Sequence, residues 1–333
     1  MTFGILRYPH QNQRYYEASA IFVENELAII LDNLNQAYEH IGYQSYGGLS
    51  LYTFTMDNPD AKVWRALYRM STAMAFFEIE GEFLKPHNEG RGTYFKDDLA
   101  SILKYSGKTN EHFTSLMINA GVFTSAFAKE FETPLTIFDP MSGKGTTLFQ
   151  ALIKGYHSMG VEKDKNDCVE MNQYFKRYLK YHQYKHEAKH QTIVQAGKNK
   201  GTKYTMITAD TKEHFKKGDT RTVQYASGDT RDANLYYKKN VAHVMVVDLP
   251  YGVQHGGMDL MKLLNESAKP WHQMLKKGGA LVIAYNTNQL KREDLIACYE
   301  TAGYKVCSEG VYSQFEHWVE QAVNRDLFIV TKP

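Results

Sequence analysis

The stretch LTIFDPMSGKGTTLFQAL, residues 135–152, decides the fold. An apolar run ends at Asp139, a turn with Gly143 and Gly145 follows, and Thr146 and Thr147 begin an amphipathic segment. This order of strand, glycine-rich turn and helix is typical of an open α/β sheet, which binds ligands outside the carboxyl ends of its strands. The glycines admit close approach of a ligand, and the positive end of the helix dipole faces it.

The letters SGKGT within this stretch also resemble part of a phosphate-binding P-loop. A P-loop needs a glycine five positions before its Gly-Lys pair, so that successive N–H groups can surround the phosphates. Phe138 occupies that position. The spacing therefore argues against nucleotide triphosphate binding and leaves Lys144 as a turn residue without a role.

The chain after residue 135 alternates short apolar runs with amphipathic segments, which predicts βαβ units. About seven strands are expected, at 135–139, 157–163, 222–229, 242–250, 280–286, 304–313 and 325–332, with the last two closing an antiparallel hairpin. The first residues have a different pattern, with helical periodicity over 15–38 and a strand-like run at 45–56. We predict a Rossmann-like α/β domain over 96–333, with a basic insertion at about 183–222, behind a smaller α+β module over 1–95.

Acidic residues follow two further predicted strands. Glu162 ends the second strand about 23 residues after Asp139, a position suited to ribose hydroxyl groups, with Asp164 as the alternative. Asp229 ends the third strand and suits an adenine amino group. Asp210 and Asp232 compete for that role, and the spacing to the next motif favours Asp229.

The sequence Asp248-Leu249-Pro250-Tyr251-Gly follows a fully apolar strand. Leu249 precedes a proline and is thereby restricted to extended conformations, so its carbonyl and the Asp248 carboxylate can project together. Two acceptors and the flat face of Tyr251 suit an exocyclic amino group on a planar base. Holding both amino hydrogens directs the nitrogen lone pair towards an electrophilic methyl group, and positioning then supplies most of the catalysis.

The 333-residue chain has a formal net charge of +2, 24 tyrosines and 3 cysteines. Between residues 171 and 225 about 12 Lys and Arg stand against about 4 Asp and Glu, so the positive charge is concentrated there. The odd number of cysteines without a CxxC pair argues against a disulfide framework or a zinc site. With neither a membrane-spanning run nor a signal-peptide pattern, a cytoplasmic protein is expected.

Over residues 105–333 the chain resembles the S-adenosylmethionine-dependent N-methyltransferases that modify guanine N2 in tRNA and rRNA, and most closely the tRNA enzymes that carry a THUMP domain. The shared motifs are DPMSGKGTT and DLPYG. The resemblance implies that the methionine part of S-adenosylmethionine lies among Asp139, Pro140, Gly143 and Gly145, the ribose at Glu162, the adenine at Asp229, and the target amino group at Asp248–Tyr251. It further implies cofactor-side contacts from Thr109, Asn110 and His112, and a closing hairpin over residues 314–330 in which Arg325 braces the sheet.

Two features of the chain depart from this resemblance. Leu249 stands where the family usually has a first proline, and the first ~95 residues show no recognisable THUMP pattern. Basic and aromatic residues between the motifs favour an RNA partner, tRNA before rRNA, with Lys198, Lys200 and Lys203 as substrate contacts. Methylation of DNA at adenine N6 or cytosine N4 remains an alternative, as does a non-catalytic cofactor-binding module, and a solvated helix face with a flexible loop remains the alternative for the basic segment.

Overall fold

The structure is a computed structural model that describes residues 1–87, 92–102, 108–250 and 259–333. Its N-terminal part is an antiparallel five-stranded sheet in the order β2-β3-β1-β4-β5. Three helices accompany this sheet. The elements are β1 (Thr2–Arg7), α1 (Gln13–Ala18), α2 (Ile21–Leu34), β2 (Tyr38–Tyr46), β3 (Leu49–Met56), α3 (Ala61–Leu67), β4 (Ala73–Glu80) and β5 (Phe83–Pro86).

The rest of the chain forms a ten-stranded mixed sheet. Its strands are β6 (Thr136–Asp139), β7 (His157–Glu162), β8 (His186–Gln195), β9 (Lys198–Thr208), β10 (Arg221–Ser227), β11 (Ala242–Asp248), β12 (Leu275–Asn286), β13 (Lys305–Cys307), β14 (His317–Glu320) and β15 (Val323–Thr331). The order is β13-β15-β12-β11-β6-β7-β10-β9-β8, and β14 pairs with β15. Chain order reverses beside β6, so the carboxyl ends of β6, β7 and β11 meet at the point where such sheets bind ligands.

Helices cover both faces of this sheet, as the alternation of strand side chains requires. Val244 and Val246 pack on one face with α5 (Glu111–Thr124), whereas Met245 and Val247 pack on the other with α10 (Leu260–Met274). The helices are α4 (Asp98–Ser101), α5 (Glu111–Thr124), α6 (Thr146–Ile153), α7 (Lys165–Tyr181), α8 (Lys212–Lys217), α9 (Ala233–Tyr236), α10 (Leu260–Met274) and α11 (Arg292–Thr301). The predicted Rossmann-like α/β class is confirmed.

A buried carboxylate connects the N-terminal part to the large sheet. Glu26 on α2 is 1% exposed and accepts hydrogen bonds from Ser71, Thr72 and the Asn119 side chain on α5. Apolar residues of α2 and α5 lie in one continuous core. The position of α5 therefore depends on both parts, and the division of the chain near residue 95 stays a prediction.

The basic segment between Glu162 and Asp229 contains two strands that the sequence analysis did not predict. Strands β8 and β9 form an antiparallel hairpin on β10, because Thr202 to Thr208 pair with Ser227 to Arg221. Most of β8 is exposed, so its residues lack the apolar alternation by which a strand is recognised. The alternative of a flexible loop here was wrong.

The predicted strand at 304–313 was also too long. It ends at Cys307, and a 3₁₀ turn over Gly310–Ser313 follows. Gly310 begins that turn with φ +58°, a conformation that does not continue a strand. The other six predicted strands of the large sheet are confirmed, and so is the closing hairpin that the resemblance implied for residues 314–330, in which β14 pairs with β15.

Candidate active site

The turn after β6 has the geometry that its glycines predicted. Gly143 and Gly145 have φ values of +49° and +91°. A Cβ on Gly145 would lie 2.4 Å from the sulfur of Met171, whereas one on Gly143 would meet no atom within 4 Å. Gly145 therefore allows the turn to pack on α7, and Gly143 faces open space at the carboxyl edge of the sheet. Pro140 and Thr146 are buried on either side.

Two acidic residues lie at the carboxyl ends of β6 and β7. Asp139 is 3% exposed and accepts a hydrogen bond from the Met141 amide at 2.9 Å. Burial is the main cause that raises the pKa of Asp139 to about 7, and the negative charges of Asp248 and Glu162 add to the rise. Hydrogen bonds from the Thr147 side chain and the Met141 amide act in the opposite direction and lower the pKa. Such a group is partly protonated near neutral pH.

Glu162 is fixed on the glycine turn. Its two carboxylate oxygens accept hydrogen bonds from the Gly143 and Asp164 amides, each at 2.7 Å. Burial raises the pKa of this carboxyl, although both amides favour its charged form. Because each oxygen keeps a second lone pair, Glu162 can also accept hydroxyl donors from the cleft.

Asp229 follows β10, whose last residue pairs with Glu162 in parallel register. Its carboxylate is bound by Arg231, with contacts at 2.9 and 2.7 Å, and the hydrogen bond from Arg231 lowers its pKa. A ligand amino group would have to share these oxygens. Two other carboxylates were candidates for the adenine contact. The Asp232 carboxylate lies 3.5 Å from the Lys200 ammonium group, and the Asp210 carboxylate lies 2.6 Å from Nδ1 of His214.

Asp248 ends β11 beside β6 and β12. The Thr109 hydroxyl donates to its carboxylate, and the Leu249 amide donates to the Ala284 carbonyl at 3.0 Å. Burial raises the pKa of Asp248, while the positive charge of Arg325 and the Thr109 hydrogen bond lower it. Leu249 is buried and Pro250 is half-buried. Tyr251 lies outside the described residues, so its predicted role stays a prediction.

Residues at the start of α5 and on β15 complete this edge. Asn110 caps α5, because its side chain accepts a hydrogen bond from the His112 amide at 2.8 Å. The His112 ring itself contacts the Ser71 carbonyl at 3.0 Å. Arg325 on β15 is 4% exposed, with its guanidinium 4.5 Å from the centre of the Phe113 ring. Asn110 therefore borders the cleft, and His112 is directed towards the N-terminal sheet.

Two of the three lysines predicted to contact substrate have partners within the chain. Lys200 lies 3.5 Å from Asp232, and Lys203 donates to the Tyr236 carbonyl at 3.1 Å, with burial lowering its pKa. Lys198 is exposed at the tip of the β8–β9 hairpin. Lys144, left without a role by the sequence, contacts Glu170 at 2.5 Å.

Comparison with known proteins now bears on this site. Residues 128–309, which include β6 to β13, match the model of the UPF0020 family, described as an RMKL-like methyltransferase domain. The chain belongs to this family. It is an S-adenosylmethionine-dependent methyltransferase of a family of RNA methylases.

No curated protein sequence matches this RMKL-like methyltransferase. Solved structures similar to it include TrmN from Thermus thermophilus, at 13% identity over 76% of this chain and 57% of that one, with a TM-score of 0.42. PH1948 from Pyrococcus horikoshii matches at 12% identity over 70% and 92%, with a TM-score of 0.42. A TehB-like methyltransferase from Corynebacterium glutamicum matches at 13% identity over 60% and 81%, with a TM-score of 0.37.

The hydrogen-bond acceptors at the carboxyl edge of the sheet suit S-adenosylmethionine. Glu162 and Asp229 end neighbouring strands and offer acceptors for a ribose diol and an amino group, and Gly143 leaves space beside them.

No group of His, Cys, Asp and Glu able to hold a metal occurs in the described ranges. Within those same ranges no helix has the length and apolar character needed to cross a membrane.

Glu162→Gln should weaken S-adenosylmethionine binding about 10- to 100-fold, because hydrogen bonds to a charged acceptor contribute about 1.5–3 kcal/mol. Isothermal titration measures the effect. Glu170→Gln, on the exposed partner of Lys144, is the matched control and should bind normally. Equal affinity of both variants would remove Glu162 from the cofactor site.

Two aromatic residues near this edge were not predicted, namely Tyr15 on α1, on which the charge of Asp248 acts, and His10, whose ring lies 4.6 Å from that of Tyr15. Their segment, PHQNQRYY at residues 9–16, carries no periodic pattern. Its density of aromatic and amide side chains was the available signal.

Proposed function

We propose that this methyltransferase transfers a methyl group from S-adenosylmethionine to an exocyclic amino group of an unpaired RNA base, guanine N2 in tRNA or, second, in rRNA. The observation that carries the proposal is Asp248, a carboxylate held at the end of β11 directly before Leu249 and Pro250. A carboxylate there can accept an amino hydrogen, and it lies at the same edge as the acceptors that suit the cofactor.

Positioning is the main contribution of the chain to this reaction. When bound, S-adenosylmethionine supplies an electrophilic methyl group on a sulfonium. Asp248 accepts one hydrogen of the target amino group and the Leu249 carbonyl accepts the other, which orients the nitrogen lone pair. Thr109 and Arg325 favour the charged form of Asp248, since each lowers its pKa, whereas burial is the larger effect and raises the pKa overall.

The cofactor contacts in this proposal follow the strand ends. Glu162 accepts the ribose hydroxyls and Asp229 an adenine amino group, sharing its oxygens with Arg231. Asp139, Pro140, Gly143, Gly145 and Thr146 surround the methionine part, with Asn110 at the start of α5. The raised pKa of Asp139 leaves it able to donate as well as accept a hydrogen bond near neutral pH.

The β8–β9 hairpin supports an RNA partner. Lys198 to Gly201 extend past Ser227, the last residue of β10, by about 13 Å at 3.3 Å per residue. Gly201 makes this possible, because a Cβ there would lie 1.8 Å from the Ser227 carbonyl oxygen. The hairpin carries four lysines against one glutamate, which suits a phosphate backbone passing the carboxyl edge of the sheet.

A methyl-transfer assay with tritium-labelled S-adenosylmethionine tests the proposal. Total tRNA, rRNA and DNA from a strain lacking the gene serve as substrates in parallel. Incorporation into tRNA is expected, with less into rRNA. Incorporation into DNA alone would instead support a DNA amino-methyltransferase, and cofactor binding without transfer to any pool would support a non-catalytic module.

Lys198→Glu should reduce RNA affinity about 3- to 10-fold and lower the slope of log affinity against log salt by about 1 to 2, because it removes a phosphate contact and adds a repulsive charge. Lys305→Glu, on the edge strand β13 at the opposite side of the sheet, is the matched control. Filter binding at several salt concentrations measures both. The same affinity loss in both variants would show a general charge effect and no contact at the hairpin.

A further inference from the structure

Residues 10–16 bring the N-terminal part of the chain close to the residues that flank the Asp248 carboxylate, because His10 lies beside Asn110 and Tyr15 beside His317, which pairs with Arg325. The charges of Asp248, Arg325 and Arg7 all act on the hydroxyl group of Tyr15. Burial raises the pKa of Tyr15, the positive charges of Arg325 and Arg7 lower it, and the negative charge of Asp248 raises it. Tyr15 is on α1, so the cleft has a wall that is not part of the methyltransferase sheet.

His10 lies beside Tyr15 at the same edge. The two ring centroids are 4.6 Å apart, with the planes tilted by 45°. His10 Nε2 lies 3.4 Å from Asn110 Nδ2, and Asn110 follows Thr109, whose hydroxyl donates to Asp248. An aromatic pair is therefore placed a short distance from the carboxylate that is proposed to hold the target amino group.

Contacts on both sides fix α1 in this position. Asn12 caps the helix by accepting the Tyr15 amide at 3.1 Å, and Arg7 donates to the Tyr16 carbonyl at 2.6 Å. The Arg14 guanidinium lies 4.0 Å from the centre of the ring of Trp318, which is on β14. The Tyr15 ring is thus held in place before any ligand binds, which lowers the entropy cost of stacking on it.

A contact between Tyr15 and His317 on β14 connects Tyr15 to Arg325. The ring centroid of Tyr15 is 5.9 Å from that of His317, and His317 pairs with Arg325 across β14 and β15. Tyr15 is half-buried and His10 is exposed, so a ligand can reach both rings. Aromatic faces that water reaches, near a half-buried carboxylate, suit a planar group with a polar edge.

We propose that Tyr15 and His10 form the N-terminal wall of the target site, where the unpaired base stacks on Tyr15 while its amino group meets Asp248. The inference rests on the proposed function and assigns part of base selection to the N-terminal module. A base inside a duplex cannot reach Asp248, and stacking on Tyr15 offsets the loss of stacking in the RNA. Tyr15 acts here as a positioning residue.

Tyr15→Leu and Tyr15→Phe test the stacking role. Stacking of one base on an aromatic ring is worth about 1–3 kcal/mol, so Tyr15→Leu should lower kcat/KM for RNA roughly 5- to 150-fold. Tyr15→Phe keeps the ring and should stay within about threefold of the wild type. The affinity for S-adenosylmethionine should not change in either variant, and His10→Ala, at an exposed position, should lose activity about threefold or more.

Tyr43→Leu is the matched control, since Tyr43 is an exposed tyrosine of the same module whose hydroxyl donates to the Ala20 carbonyl. Normal kcat/KM for RNA in both Tyr15→Leu and His10→Ala would overturn the inference and leave the proposed function intact. Equal losses in Tyr15→Leu and Tyr15→Phe would also overturn it, because the ring would then not be what matters. A wild-type protein that methylates no RNA would refute the proposed function itself.

Discussion

Asp248→Asn should reduce kcat for methyl transfer about 10²- to 10³-fold while S-adenosylmethionine binding stays within about threefold. The amide keeps the size of the side chain, but it replaces one acceptor by a donor that repels the target amino hydrogens. Removal of one preorganised electrostatic contact to a reacting group typically costs a factor of this size. Single-turnover assays with saturating RNA measure kcat, and titration measures cofactor binding.

Asp259→Asn is the control for this substitution. Asp259 caps α10 by accepting the Lys262 amide at 2.9 Å, and asparagine caps helices equally well. Activity should therefore stay unchanged. If Asp248→Asn kept wild-type kcat, or lost cofactor binding as strongly as transfer, Asp248 would not be the group that holds the target.

Asp139→Asn should stabilise the fold at alkaline pH. Burial raises the pKa of Asp139 from 3.8 to about 7, so between these values the folded chain holds a proton that the unfolded chain has released. Stability therefore falls as pH rises through this window, and the whole loss is present above about pH 7. Asparagine does not ionise and keeps the acceptor for the Met141 amide.

Relative to wild type, the free energy of unfolding of Asp139→Asn should be greater at pH 8 than at pH 4.5 by about 1–3 kcal/mol. Urea denaturation at the two pH values, without cofactor, measures this difference. Asp60→Asn, at an exposed helix cap, should show the same small effect at both. A destabilisation of Asp139→Asn that is equal at both pH values would contradict the assignment of a raised pKa.

Much of the methyltransferase sheet was predictable because its strands are buried on both faces. Runs such as residues 242–248 are nearly continuous in apolar residues and end in Gly, Pro or Asp, so their type and order follow from the pattern. The β8–β9 hairpin escaped because most side chains of β8 are exposed and those of β9 are largely polar, and its pairing depends on register with β10. A single sequence carries no signal for that register.

The site was predictable where its residues follow strands and unpredictable where the chain returns to it from a distance. Asp139, Glu162 and Asp248 were recognised by their positions after apolar runs. The contact of Thr109 with Asp248 joins residues 139 positions apart. Tyr15 approaches this edge from the N-terminal part through His317, which pairs with Arg325, and the partners of Lys200 and Lys203 depend on how the hairpin packs around α9.

The central claim is that Asp248 presents an RNA base amino group for methylation. The most direct measurement is mass spectrometry of nucleosides after tRNA has been incubated with wild-type or Asp248→Asn protein and S-adenosylmethionine with a deuterated methyl group. Labelled N2-methylguanosine is expected from the wild type and almost none from the variant. A label found only on another atom, such as a ring carbon or a ribose oxygen, or an equal yield from the variant, would contradict the claim.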